Sequence, residues 1–332
     1  MIFSIMNESK PAVVPHPARV MVLVATAACL MIWASPPVAL VAGTLFALFI
    51  EHPFAQWNQK ITKWLLQISV VLLGFGMNLP AVLKLGLNGS LFAAATISTT
   101  LLLGYWLGRK LALDKKTAML ISAGTAICGG SAIAAVSSVI AASEAEIAVS
   151  IGTIFLLNAV ALYVFPLAGH LLHLSQAQFG LWAGVAIHDI SSVVGAGLSY
   201  GPAALTTATA VKLSRTLWIV PLTLVLAFRS GQNHRTSPAV EEADGNRKAK
   251  IAMPWFIGFF LLASLLRSYV PCIARWSPQF SMVAHHGMIL VLFLIGTSLS
   301  LRPLKVVGWR TMAVGIALWL FISAASLVVI GI

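Results

Sequence analysis

Apolar runs of membrane length recur along the chain, separated by short polar corners. Eleven segments stand at about 20–34, 36–50, 64–84, 89–108, 117–142, 145–169, 178–199, 201–228, 252–270, 283–301 and 309–331. A spanning helix needs about 20 apolar residues. Backbone polar groups in lipid must find partners inside the chain, so runs of this length read as helices. The pattern predicts an all-α polytopic membrane protein. The first two segments meet at Ser35-Pro36-Pro37 inside an uncharged run from 20 to 50. That run is long for one straight span and short for two. The prolines predict two short helices, with one kinked helix as the alternative. The start of the run resembles a signal anchor. The string ending at Cys29 has Thr26 where a lipoprotein box carries leucine, so no cleavage is expected.

Two segments break the pattern of uniform rods. "AICGGSAIAAVSSVIAAS" (126–143) and "VAIHDISSVVGAGLSYGP" (185–202) are dense in Gly, Ala and Ser, and each precedes a long helix ending in "FPL" or "VPL". Glycine costs about 1 kcal/mol in a helix interior. Gly129-Gly130 at mid-segment therefore predicts an unwound stretch, whose freed amides and carbonyls must line a cavity or a ligand site rather than face lipid. Close helix packing through small residues is the alternative. Both segments either cross the bilayer or turn back as re-entrant hairpins. The second case gives nine crossings plus two hairpins. A weaker internal likeness joins "LLGFGMNLPAVLKLG" (72–86) and "FLIGTSLSLRPLKVVG" (293–308), which the charge pattern sends in opposite directions, as in an inverted repeat.

Composition narrows the class. Of 332 residues 59% are apolar or aromatic and 9% charged, against about 25% charged in a globular domain. A water-soluble fold is excluded. Three cysteines cannot build a disulfide framework. The +12 net charge sits in loops, not in a basic stripe, so no nucleic-acid partner is expected. Sixteen Lys and Arg fall on the side of the N-terminus and three on the other. This predicts a cytoplasmic N-terminus and a periplasmic C-terminus in a bacterial inner membrane. The chain then divides into a tail at 1–19, a membrane bundle at 20–228 holding both Gly/Ser-rich segments, a flexible cytoplasmic linker at 229–251 and C-terminal helices at 252–332.

The remaining two bases, Lys212 and Arg215, lie within the eighth segment, three residues apart and so on one helix face. Asp189 is the acid in the middle of an apolar segment, with His188 before it. Ionisable groups in a membrane are costly and read as functional. Asp189 neutralises one of the two cations, so the surplus predicts a pocket for an anion. Lys212 and Arg215 are the expected anion ligands. Ser131, Ser191 and Ser192 add hydroxyl donors, and Gly129-Gly130 free backbone donors at a helix N-terminus. Histidine changes charge near neutral pH, so His188 with Asp189 is read as the coupling site. A structural ion pair between Asp189 and either base is the competing reading. Asn78 and Asn158 are read as interhelical glue, Cys128 as a packing residue, and His285-His286 as having no metal partners. No Gly-x-Ser-x-Gly, zinc or Walker motif is present. Neither an enzyme nor an ATP-driven pump is expected, and no cofactor or resident metal.

At "LLGFGMNL", "TAICGGSAIAA", "FGLWAGVAIHDISSVVGAG" and "AVKLSRT" the sequence resembles the YeiH-type bacterial inner-membrane proteins, a family carried under the provisional name of sulfate exporters. The likeness spans about 20–330. Gly129, Gly130, Ser131, His188, Asp189, Lys212 and Arg215 match the family pattern by position. Ser191 and Ser192 stand where the family has Ala-Gln, and "VSSVI" at 136–140 where it has "VAPVI". "CGGS" is also similar to the broken helices of bile-acid symporters and sodium–proton antiporters, a likeness of fold only. The resemblance implies export of a small anion, such as sulfate or a sulfonate, coupled to a proton or sodium gradient. An uncoupled anion channel and a membrane protein without transport activity are the alternatives. A homo-oligomer stays open.

Overall fold

The computed structural model describes residues 36–49, 55–80, 89–234, 255–298 and 307–331; the expected segment at 20–34, the linker beyond 234 and much of the 72–86 and 293–308 likeness lie outside them, whereas 229–234, expected as the start of the linker, are helical. The described residues form helices: α1 Pro36–Phe49, α2 Ala55–Gly74, α3 Ser90–Lys110, α4 Lys115–Ala126, α5 Gly130–Val139, α6 Glu144–Leu171, α7 Gln176–Ala186, α8 Ile190–Tyr200, α9 Pro202–Thr216, α10 Ile219–His234, α11 Trp255–Tyr269, α12 Pro271–Ser298 and α13 Trp309–Ile330. Among the described residues five stretches are long and apolar enough to cross a membrane: α3, α6, α9 with α10 to Phe228, α12 to Thr297, and α13. Their outer faces carry exposed Leu102, Phe228 and Val328, as lipid contact requires.

Two helices start well before their apolar runs. α2 begins at Ala55 rather than near 64, because its polar first turns bury Asn58, whose amide donates to Leu294 O at 3.3 Å and Thr297 Oγ1 at 3.0 Å. α12 begins at Pro271 rather than near 283, with proline in its first turn and Ser277 donating to Phe75 O at 2.6 Å. A run read by hydropathy alone misses a helical turn whose polar groups are already paired.

The chain packs into two compact units that interleave in sequence. One holds Met1–Ala81 with Trp255–Leu301, the other Val82–Pro254 with Arg302–Ile332. The C-terminal stretch 252–332 is thus shared between units: α11 and α12 pack with α1 and α2, whereas α13 packs with α3, α4, α6 and α7. In the first unit α1 and α12 cross at Gly43 and Gly296, where an added Cβ would strike the facing backbone. Asn78, expected within a helix, lies in the turn after α2 and accepts from Ser268 Oγ on α11 at 3.3 Å, so it ties a turn to a helix rather than two helices.

The second unit contains the broken segments, and both fold back on themselves. At the base of the first, Lys116 Nζ donates to Ala141 O at 2.8 Å, so the start of α4 lies beside the end of α5. At the base of the second, Ala203 N donates to Gln176 Oε1 at 2.9 Å and Tyr200 OH donates to Leu174 O at 2.5 Å. Phe179 stacks flat on Tyr200 at 3.8 Å, which joins the two arms near that base. Helix α6 runs from one base to the other, through 28 residues or about 42 Å. We call α4–α5 hairpin 1 and α7–α8 hairpin 2.

Candidate functional site

Hairpin 1 turns through Ile127, Cys128 and Gly129. Gly129 has φ +65° and ψ −125°, a conformation that disfavours every residue with a Cβ. Gly130 is already helical and has room beside Phe155, so the conformational need falls on Gly129 alone. Hairpin 2 turns through Ile187, His188 and Asp189 with no positive φ. The two tips touch: a Cβ built on Gly129 would lie 3.5 Å from Asp189 Cβ and 3.6 Å from its Cα.

Four helix ends therefore meet in one place: the carbonyl ends of α4 and α7, and the amide ends of α5 and α8. Terminal carbonyls and amides of a helix have no partner within it and carry about half a charge, negative and positive respectively. Three of these ends are met by side chains. Asp189 caps α8, accepting from Ser191 N at 3.1 Å and from the Ser191 hydroxyl. Lys212 Nζ, fully buried on α9, donates to Ile187 O at 2.5 Å, at the end of α7. Arg215, one turn further and 1% exposed, donates from Nη2 to Ala126 O at 2.5 Å, the last residue of α4, and from Nη1 to Thr96 Oγ1 on α3 at 3.0 Å. The amide end of α5 has no side-chain cap. Ser131, in its first turn, is exposed, and Gly130 is partly so.

The structure thus brings Gly129, Gly130, Ser131, His188, Asp189, Ser191, Lys212 and Arg215 to the meeting of the tips. Ser192 is buried in the first turn of α8. Ser191 is turned onto Asp189, Lys212 donates to one backbone carbonyl, and Arg215 donates to one backbone carbonyl and to Thr96. No carboxylate pairs with either cation among the described residues. His188 is fully buried, its ring 6.3 Å from that of Trp319, and neither ring nitrogen has a hydrogen-bond partner among the described residues. The Arg215 Nε, Asn158 Nδ2 and Trp319 Nε1 are likewise buried and unpartnered there.

Two residues of the site escape a reading of hydropathy. Asn158 accepts from Asp189 N at 3.3 Å and so supports the tip of hairpin 2; its place as a polar group in α6 marked it, but not its partner. Thr96 gives no signal, since a threonine in an apolar helix can always bond its own backbone, as Thr96 also does to Phe92 O at 2.8 Å.

Residues 18–315 match the family described as "Conserved hypothetical protein 698". Relatives named UPF0324 membrane protein include one from Bacteroides thetaiotaomicron, 44% identical over 89% of this chain and 86% of its own. One from Porphyromonas gingivalis is 47% identical over 89% of this chain and 86% of its own. One from Bdellovibrio bacteriovorus is 42% identical over 97% of this chain and 95% of its own. No solved structure matches the chain. From these matches and the apolar helices, the chain belongs to this family of conserved membrane proteins, which is the YeiH-type family that its motifs resemble.

Proposed function

We propose that the chain is a secondary transporter of a small anion, bound at the amide end of α5 where the hairpin tips meet and coupled to a proton or sodium ion. The observation that carries this reading is the unequal treatment of the four helix ends. The half-charges of two carbonyl and two amide ends cancel to a first approximation. Lys212 and Arg215 add two positive charges and Asp189 one negative. One positive charge is left over, in a region of low dielectric, beside the one end that lacks a side-chain cap. A solute with an oxyanion balances it, taking the amides of α5 and the Ser131 hydroxyl as donors. Lys212 and Arg215 act on it through their field. His188 and Asp189 handle the coupling ion, Asp189 from the neighbouring tip. Sulfate and sulfonates have the required chemistry.

In this reading the hairpins enter the membrane from opposite faces. Each arm of 10 to 12 residues is about 15–18 Å long, half of a hydrocarbon core of about 30 Å. α6 is long enough to carry the chain from one face to the other between them. The two hairpins then form the centre of an inverted repeat, and broken helices at the midplane are where such transporters bind their cargo.

The test is to give hairpin 1 the charge that hairpin 2 already has. Ser131→Asp places a carboxylate in the first turn of α5, where the helix end stabilises it. Purified protein in liposomes should exchange labelled sulfate for internal sulfate, Ser131→Asn should keep most of that exchange, and Ser131→Asp should abolish it while folding normally. Equal exchange by Ser131→Asp and the parent would remove the proposed anion site.

A further inference from the structure

We propose that Lys212 and Arg215 are positioning residues rather than direct ligands of the cargo: each clamps the tip of one hairpin, Lys212 by Ile187 O and Arg215 by Ala126 O. The proposal deepens the reading of the site as an anion site but stands on separate observations. Both side chains are fully buried, so water does not compete for their hydrogens. Each donates at 2.5 Å to a carbonyl at the C-terminal end of a half-helix, where a cation is favoured twice over, by the hydrogen bond and by the helix end. The two residues sit three apart on α9, hence about 4.5 Å apart along its axis. One turn of one helix therefore sets the separation of the two tips, and Gly129 meets Asp189 within that spacing.

The division of labour is specific. Arg215 reaches hairpin 1 and, through Thr96, ties it to α3. Lys212 donates to hairpin 2 and makes no hydrogen bond to hairpin 1 among the described residues. Loss of one clamp should free one tip and spare the other. Cys128 provides a native reporter, because it lies in the turn of hairpin 1 and is 1% exposed against Ala93, Ile97 and Ile219. Ile187, fully buried in the turn of hairpin 2, marks the equivalent place there.

The experiment measures the rate at which a membrane-permeant maleimide labels a single cysteine in full-length protein in liposomes. One background carries Cys29→Ser and Cys272→Ser, leaving Cys128. The other removes all three native cysteines and carries Ile187→Cys. Because labelling follows the fraction of time a tip is open, losing a charged hydrogen bond should raise it at least about tenfold. Arg215→Ala should do so at Cys128 and leave Ile187→Cys within about twofold; Lys212→Ala should give the converse. Where an alanine variant fails to yield folded protein, Arg215→Gln and Lys212→Met, which keep bulk and lose charge, take its place under the same criterion. Equal acceleration at both tips, or at neither, overturns the clamps. Labelling needs no substrate, so a selective pattern in a protein that exchanges no sulfate would leave the clamps standing and remove the transport reading instead.

Discussion

At the tip of hairpin 1 the chain turns on Gly129 and leaves the amide end of α5 without a side-chain cap; at the tip of hairpin 2 it turns through His188 into Asp189, whose carboxylate caps α8. The carbonyl ends are treated alike, each with a cation from α9. Two hairpins of nearly equal arm length thus differ at one helix end, by one carboxylate. A self-satisfied tip and an unsatisfied one, held in contact, separate two jobs. Hairpin 2 carries its own negative charge, and in the proposed function hairpin 1 offers the matching place to a solute. Had both tips been capped by acids, the cations would be balanced within the chain and the site would have no reason to attract an anion.

The comparison breaks most severely at Arg215. Arg215→Ala strands Ala126 O in the core, takes away the donor to Thr96 Oγ1 and removes a large buried side chain; unfolding in detergent should show a loss of about 3–5 kcal/mol, more than Lys212→Ala, which strands one carbonyl. Gly129 comes next. Gly129→Ala must hold φ near +65° with a Cβ, at about 1–3 kcal/mol, whereas Gly130→Ala should cost less than about 1 kcal/mol; thermal shift assays on the pair separate backbone conformation from space.

Asp189 sharpens the contrast in the other direction. Asp189→Ala should lose the α8 cap, about 1 kcal/mol, while Asp189→Asn keeps the cap and deletes the charge. With a second positive charge then unbalanced, sulfate should bind more tightly to Asp189→Asn, read as a lower half-saturation concentration in exchange, and weaker binding would count against the charge balance drawn for the tips. The smallest effect is expected at the base of hairpin 1. Asp114 caps α4 through Lys116 N at 2.8 Å and Thr117 N at 3.1 Å, and the bond from the Thr117 amide leads the causes that hold its carboxyl below the usual carboxylate range. A lowered value in the fold means stability that is present above the ordinary carboxylate range and fades as pH falls through the lowered one. Asp114→Ala should cost about 1 kcal/mol at neutral pH, and its melting temperature should converge on the parent's as pH falls below that lowered range.

How much of this was legible beforehand varies residue by residue. Gly129 announced a break because glycine pairs are expensive in helices, and Asp189, Lys212 and Arg215 stood out because charge in an apolar run is rare. The partners were not legible. Lys212 and Arg215 read as anion ligands because their surplus charge is visible in the chain while Ile187 O and Ala126 O, like every backbone carbonyl, are not distinguished by side-chain type. Thr96 and Asn158 enter through bonds to residues 119 and 31 positions away. The early starts of α2 and α12 were hidden because their polar groups are paired across the unit rather than along the helix.

The amino-acid sequence by itself determined the class of protein, the run of apolar helices, the places where two of them must break and the excess of positive charge near those places. These follow from local costs: burying charge, unwinding a helix, exposing amides to lipid. Only the tertiary structure decided that the broken segments fold back on themselves and that their tips meet, because that rests on contacts such as Lys116 with Ala141 and Gly129 with Asp189 between residues far apart in the chain. It also decided which helix end stays uncapped, since that depends on where side chains far away in the chain spend their hydrogen bonds.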